Sequence, residues 1–180
     1  QALWSFISTE NIEQVEVVKG ASSGLYGSSA LNGIINIRSK WAKEDPTTRV
    51  STFGGLYSTP SRESWKWSDK PQGTYGIRVA DRRRIGKSDF VCDLEALNDQ
   101  GYRKGDFDER LQGGVNWRYR ASDSSFVGLR TKIFKNHSGS FLLWQNYDSA
   151  YLPLNRGNTD NKNFRLSLNP LYTHSGKTGL

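Results

Sequence analysis

The alternation of apolar and polar side chains with a period of two is the feature of this sequence that most constrains its fold. Between Leu111 and Arg120, one side carries Leu111, Gly113, Val115, Trp117 and Tyr119. The other side carries Gln112, Gly114, Asn116, Arg118 and Arg120. The same alternation recurs in residues 75–80, 90–96, 127–133 and 164–169. A period of two is that of a β-strand, so the sequence predicts a row of strands, each with one apolar face and one polar, often arginine-bearing face.

The lengths of the connections between the predicted strands carry a second signal. The predicted strands are Thr48–Tyr57, Thr74–Arg84, Asp89–Asn98, Phe107–Arg120, Ser125–His137 and Lys162–His174. The links 58–73 and 138–161 are long and 99–106 is intermediate, whereas 85–88 and 121–124 are short. Long loops at one end of the strands and tight turns at the other are typical of outer-membrane barrels. A soluble antiparallel sandwich also alternates, and periodicity alone leaves both architectures open.

Composition narrows the class of protein further. The 180-residue chain has a mean hydropathy of −0.69, but Trp, Tyr and Phe make up 12% of its residues, and disordered chains are poor in aromatics. A single cysteine excludes an internal disulfide. No apolar run approaches the roughly 20 residues of a membrane helix. The composition therefore favours an ordered, thin β architecture with one apolar face and one wet face.

The first 45 residues have a different organisation from the rest. Residues 12–18 alternate as a strand that ends at Lys19-Gly20, residues 21–27 are small and turn-rich, and residues 33–37 form a second, β-branched strand. The composition changes near Asp45-Pro46. The sequence therefore predicts a strand-turn-strand unit before the alternating strands, with glycines where backbones come close.

Residues 12–27 and 33–37 resemble the end of the plug domain of TonB-dependent outer-membrane transporters. The amino-acid sequence of residues 21–33 and 98–103 is similar to that of receptors from Bacteroidetes-type bacteria. The plug motif, whose role is structural, consists of Glu13, Glu16, Lys19, Gly20, Leu25, Tyr26, Gly27, Gly33 and Asn36. The resemblance implies that residues 1–45 are the C-terminal part of a plug and that residues 46–180 are the first strands of a transmembrane barrel. Barrels that hold a plug have about 22 strands, so the six strands predicted here imply a fragment of a larger barrel.

The fold implied is mainly β: an antiparallel up-and-down meander of about six strands from a larger transmembrane β-barrel, preceded by a strand-turn-strand piece of an α/β plug domain. The function implied is import of a scarce nutrient, such as an iron chelate, cobalamin, a glycan or a peptide, across the outer membrane of a Gram-negative bacterium. The implied partners are the energy-supplying inner-membrane TonB complex (through an upstream segment), outer-membrane lipid and an unidentified small nutrient, and a surface lipoprotein stays open. The alternative is a soluble β-sheet module that binds carbohydrate or nucleic acid.

The implied barrel makes two geometric predictions. Val115, Trp117 and Tyr119 face lipid, while Asn116, Arg118 and Arg120 face the lumen. Because the plug lies on the periplasmic side of the first strand, the links 58–73, 99–106 and 138–161 are extracellular and the turns 85–88 and 121–124 are periplasmic.

Motifs for catalysis, cofactors or metals are weak in this sequence. Gly86-Lys87-Ser88 and Gly176-Lys177-Thr178 imitate the end of a phosphate-binding loop, but the required upstream glycine is replaced by Asp81 and Leu171. The two histidines and the cysteine are scattered, which does not predict a zinc site. The net charge is +7, yet the arginines are spread over many strands and do not form a nucleic-acid patch. We expect no enzyme activity, cofactor, metal or nucleic-acid partner.

Three loop residues are candidates for substrate contact. Trp144 and Tyr147 lie in the longest predicted loop, and aromatic rings provide large contact area with few torsions to freeze. Arg103 lies in the neighbouring loop and supplies a charge suited to an anionic ligand. The competing interpretation is that the rings pack loop against loop.

Overall fold

The computed structural model describes residues 7–20, 33–154 and 157–176, which fold into β-strands joined by loops and short 3-10 turns. The strands are β1 (Ile12–Lys19), β2 (Gly33–Ser39), β3 (Thr47–Leu56), β4 (Gly73–Ile85), β5 (Ser88–Asp99), β6 (Phe107–Arg120), β7 (Ser125–Ser140) and β8 (Thr159–His174). Over these ranges the chain forms no helix with the length and apolarity needed to cross a membrane.

The strands form two separate sheets. β1 and β2 pair antiparallel, with Lys19 opposite Gly33 at one end and Ile12 opposite Ser39 at the other. β3 to β8 form a six-stranded sheet whose spatial order is the order of the sequence, and every neighbouring pair is antiparallel. The predicted mainly β fold, a meander preceded by a small two-stranded piece, is confirmed.

The connections in the meander segregate by length as predicted. Two short turns, at residues 86–87 and 121–124, lie at one end of the sheet. Gly86 takes a φ of 58° in the first of them, a left-handed conformation that costs glycine little. Three longer connections lie at the opposite end: loop 1 (57–72), loop 2 (100–106) and loop 3 (141–158).

The last two strands are longer than the sequence predicted. β7 continues past His137 to Ser140, and β8 begins at Thr159, three residues before Lys162. Ser140 is paired with Thr159, whose hydroxyl donates to the Ser140 carbonyl at 2.9 Å. The side chains of this extension are small or polar, so the apolar alternation ends while the backbone pairing continues.

The two faces of the meander invert the usual arrangement of a soluble protein. On one face, apolar side chains near the middle of the strands are exposed: Leu94 (50%), Leu111 (49%), Val115 (41%) and Ile133 (47%). On the other face, Asp89, Glu95 and Gln112 are at most 5% exposed. We call these the apolar face and the polar face, and the predicted division of Val115 from Asn116 follows them.

Candidate functional site

Acidic side chains of β5 on the polar face are each held by basic side chains of β4, β6 or β7. Asp89 accepts hydrogen bonds from Arg84 Nε and Arg118 Nη2, both at 2.6 Å. The ion pair between Asp93 Oδ2 and Lys132 Nζ measures 2.8 Å. A buried carboxylate is costly unless it is paired and hydrogen-bonded, so these pairs allow β5 to carry charge on a buried face.

A third acidic residue of β5 extends this network toward the loop end. Glu95 lies 3.0 Å from Arg78 Nε of β4 and 3.8 Å from Arg110 Nη1 of β6. Arg110 also pairs with Asp108 on its own strand. The polar face is therefore cross-linked by charge over β4, β5 and β6, where the register places these side chains side by side.

The two-stranded piece contacts this polar face through a 3-10 turn at Thr9–Asn11. The Asn11 side chain is buried, and its Nδ2 donates to Asp93 Oδ1 at 2.8 Å. Glu10 accepts a hydrogen bond from Ser51 Oγ at 3.3 Å and lies 3.3 Å from Arg49 Nε. The first strand of the meander and its third are thus both tied to the residues just before β1.

The segment between β2 and β3 is also fixed to the polar face. The Trp41 ring lies beneath the guanidinium groups of Arg118 and Arg130, at 4.3 and 5.3 Å from the ring centroid. Arg84 Nη2 lies 3.4 Å from the carbonyl of Ala42, which is 5% exposed. Stacking on arginine is favourable for an indole, so the linker follows the sheet.

A cavity of about 210 Å³ separates the two-stranded piece from the meander. Asn11, Asp93, Asn116, Arg130 and Lys132 line it, together with Ser167 and Asn169 of β8. Asn11 Oδ1 is buried without a hydrogen-bond partner in the described part of the chain. The contact between the two sheets is therefore polar and incompletely packed.

Four of the predicted plug-motif residues shape the two-stranded piece, two through a side-chain contact and two through their backbone conformation. Asn36 Nδ2 donates to Glu16 Oε2 at 2.9 Å, and Arg38 lies 3.3 Å from the same carboxylate. Gly20 follows β1 with a φ of 93°, and Gly33 opens β2 at 131°. A Cβ on Gly33 would lie 2.7 Å from the Val18 carbonyl, so this position needs glycine.

Among the described residues, the motif positions Glu13 and Lys19 carry no comparable side-chain contact. Glu13 and Lys19 are exposed on β1. Leu25, Tyr26 and Gly27 lie outside the described residues. For these five positions, the structural role that the resemblance implies stays a prediction.

At the other end of the meander, loops 1, 2 and 3 are joined into one unit, which we call the loop cluster. The indole of Trp65 in loop 1 donates to the Tyr147 carbonyl of loop 3 at 2.8 Å. The indole of Trp67 donates to the Tyr102 carbonyl of loop 2 at 2.9 Å. Between loops 2 and 3, the Lys104 N–H donates to the Tyr151 carbonyl at 3.0 Å.

Aromatic rings form a continuous chain through the same three loops. Tyr57 and Tyr102 have ring centroids 6.0 Å apart, and Tyr102 meets Tyr151 edge-on at 5.5 Å. Tyr151 lies 5.5 Å from Trp65, whose ring in turn contacts Tyr147 at 6.2 Å. These separations lie in the range in which aromatic pairs attract, so ring packing adds to the backbone bonds.

A cavity of about 430 Å³ lies where the loop cluster meets the polar face. Its lining includes Tyr57, Asp99, Asp106, Asp108 and Arg110. The Tyr57 hydroxyl donates to Asp99, with 2.8 and 3.0 Å to the two carboxylate oxygens. This hydrogen bond, with partial burial and the charge of Asp99, raises the pKa of Tyr57 to about 12.

The three predicted substrate residues occupy different surroundings in the loop cluster. Trp144 is 55% exposed and pairs with Pro153 in an isolated β-bridge. Tyr147 is 63% exposed and lies against Trp65. The Arg103 guanidinium is bound to Asp106 at 2.8 Å and lies 4.4 Å above the Phe141 ring, so its charge is already neutralised.

Sequence reasoning missed the residues that assemble the cluster. Trp65, Trp67, Tyr102 and Tyr151 were not singled out, although two tryptophans two positions apart in a polar loop are a signal that could have drawn attention. Their partners are distant in sequence, 82 residues for Trp65 and 35 for Trp67. Period and spacing within one segment carry no information on such pairs.

Comparison with known proteins adds to this geometry. Residues 1–34 match the TonB-dependent Receptor Plug Domain family. No solved structure matches the chain. The plug match covers β1 and the start of β2, whose motif glycine opens the strand, and the antiparallel meander follows directly. The family match and the sequence motif therefore point to the same family, and residues 1–34 are similar to the plug domain of TonB-dependent receptors.

Proposed function

We propose that this chain is part of an outer-membrane receptor that imports a scarce nutrient with energy from the inner-membrane TonB complex. The observation that carries the proposal is the pattern of exposure in the meander: apolar side chains are exposed on one face, and charged side chains are buried on the other. In lipid, backbone polar groups must pair within the protein, and a strand sheet that closes into a barrel meets this demand. The apolar face is then the surface toward lipid.

Two further features support this membrane orientation. Trp117 and Tyr119 stack on the apolar face with centroids 6.5 Å apart, close to the short-turn end, where barrels carry an aromatic girdle. The outer edges of β3 and β8 are unpaired within the described residues. Exposed edges are a liability for a sheet, and further strands of the receptor would pair with them.

We divide the chain into the end of the plug, residues 1–45, and the first barrel strands, residues 46–180. The polar face then lines the lumen, and its contacts with Glu10, Asn11 and Trp41 hold the end of the plug against the barrel wall. The loop cluster lies at the extracellular mouth. The imported molecule would be an iron chelate, a cobalamin, a glycan or a peptide.

Single cysteines in the full-length receptor test both location and orientation. In a Cys92→Ser background, Ser61→Cys in loop 1 should react with a membrane-impermeant maleimide on intact cells. Ser122, in the turn 121–124, is also exposed in the chain, but Ser122→Cys should react only after the cells are broken. The reverse pattern would contradict the orientation, and recovery of the receptor in the soluble fraction would favour the soluble binding module.

Substrate contact by the loop cluster has its own test. Trp144→Ala and Tyr147→Ala should each weaken nutrient uptake while the amount of receptor in the outer membrane stays the same, because both rings are largely exposed. Deleting TonB should abolish uptake in all variants. Unchanged uptake in both alanine variants would assign the rings to loop packing.

A further inference from the structure

The cations of the loop cluster differ in whether their charge is compensated. Arg103 is bound to Asp106, and Lys66 lies 3.2 Å from Asp69 and 3.7 Å from Glu63. Arg62, in contrast, has no carboxylate within ion-pair distance among the described residues, and it is exposed. It is therefore a cation of the cluster whose charge is uncompensated.

Arg62 is nevertheless held in place by aromatic rings. Its guanidinium carbon lies 4.5 Å from the ring centroid of Tyr147 in loop 3 and 5.4 Å from that of Trp65 in its own loop. Those two rings are in turn fixed by the hydrogen bond from the Trp65 indole to the Tyr147 carbonyl. The guanidinium is thus positioned by contacts that do not use its N–H groups.

This arrangement has the chemistry of an oxyanion site. A guanidinium stacked on rings keeps its planar fork of N–H donors available, and that fork matches the geometry of a carboxylate or a phosphate. Much of the side-chain entropy that binding would otherwise cost is already lost. The exposed lysines of the cluster, Lys70 and Lys104, have no comparable ring contacts among the described residues.

We propose that Arg62, supported by Trp65 and Tyr147, binds an oxyanion group of the imported nutrient, which therefore carries a carboxylate or phosphate beside a planar or apolar part. The rings offer contact area to that second part, because 63% of Tyr147 is exposed. The proposal places the binding of an anionic group in loop 1, whereas the sequence predicted it for Arg103 in loop 2. The inference rests on the proposed import function and names the class of substrate.

The test compares probes that share a naphthalene ring and differ in the polar group attached to it, titrated by calorimetry into the purified full-length receptor. The probes are 1-naphthoate, 1-naphthyl phosphate and the neutral 1-naphthamide. We expect at least one anion to bind about tenfold more tightly than the amide, the size of one charge-assisted hydrogen bond. The preferred anion distinguishes a carboxylate from a phosphate ligand. Arg62→Gln should remove the preference, and Lys70→Gln, which deletes one charge from the same loop, should keep it.

Several outcomes would overturn the assignment. Equal binding of all three probes to the unmodified receptor would do so, as would a preference that survives Arg62→Gln. A preference lost in Arg103→Gln but kept in Arg62→Gln would return the role to Arg103. Circular dichroism of each variant separates loss of the site from loss of the fold. If the probes fail while the cysteine labelling and TonB dependence hold, the inference alone is wrong and the import function stands.

Discussion

The polar face of the meander and the loop cluster are both dense in specific contacts, but they are built on opposite principles. On the polar face, Asp89, Asp93 and Glu95 are bound by side chains of other strands brought alongside by the sheet pairing. In the loop cluster, indole N–H groups reach carbonyls of loops with which they share no secondary structure. The sheet positions the first set of contacts, whereas the second set itself positions the loops.

This difference has a thermodynamic consequence. A charge pair on the polar face is partly buried, so losing one partner leaves an uncompensated charge and affects the whole sheet. A bond in the loop cluster lies near solvent, and losing it opens a loop while the strands persist. We therefore expect global effects from variants of the polar face and local effects from variants of the loops.

The largest effect is expected from Asp89→Ala. Asp89 is 4% exposed and pairs with both Arg84 and Arg118, so its removal leaves two cations unpaired and should lower the unfolding free energy by about 3–5 kcal/mol. Urea unfolding of the receptor in lipid vesicles measures this loss.

The control is Asp69→Ala. Asp69 pairs with Lys66 in loop 1 and its side chain is 95% exposed, and ion pairs exposed to water contribute at most about 1 kcal/mol. Equal losses in the two variants would show that burial of the pair does not set its contribution.

The second largest effect contrasts the two faces at adjacent positions. Val115→Arg places a charge on the apolar face and should cost about 2–4 kcal/mol if the residue lies near the middle of the bilayer. Asn116→Arg places the same side chain beside the polar cavity and should be tolerated. The amount of folded receptor in the outer membrane checks both, and the opposite ranking would exchange the faces assigned to lipid and lumen.

The same contrast separates the features that could be predicted from the sequence from those that could not. The strands and the split of Val115 from Asn116 could be predicted because each strand is read from its own alternation. The extension of β7 and β8 was missed because Ser138, Gly139 and Ser140 continue the pairing without apolar side chains. Arg103 was selected for its charge alone, so its ion pair with Asp106 was not anticipated, and its role in substrate contact stays a prediction.

Smaller, local effects are expected in the loop cluster. Trp65→Phe keeps a ring but removes the donor to the Tyr147 carbonyl, a net loss of about 1 kcal/mol. Hydrogen exchange of the amides in residues 146–150 should accelerate about fivefold, with the exchange of the strands unchanged.

Trp67→Phe provides the matched comparison in the same loop. Its bond goes to the Tyr102 carbonyl, so exchange should accelerate in loop 2 and not in residues 146–150. If either variant accelerated exchange in β4 or β5, the loop cluster and the sheet would have to form one cooperative unit.

The smallest effect concerns the titration of one phenol at the border between the two regions. Tyr57 is the first residue of loop 1, and its hydrogen bond to Asp99 at the end of β5 raises its pKa to about 12 from an unfolded value near 10. Because the folded pKa is the higher one, this bond contributes its full stability below pH 10 and loses it as the pH rises through about 12. Asp99→Asn removes the negative charge, so the Tyr57 pKa should fall toward 10. The ultraviolet absorbance of tyrosinate, followed as the pH rises, measures this shift. As the control, Tyr57→Phe should remove the titration step near pH 12. If that step stayed near pH 12 in Asp99→Asn, Asp99 would not be the group that holds the phenol proton.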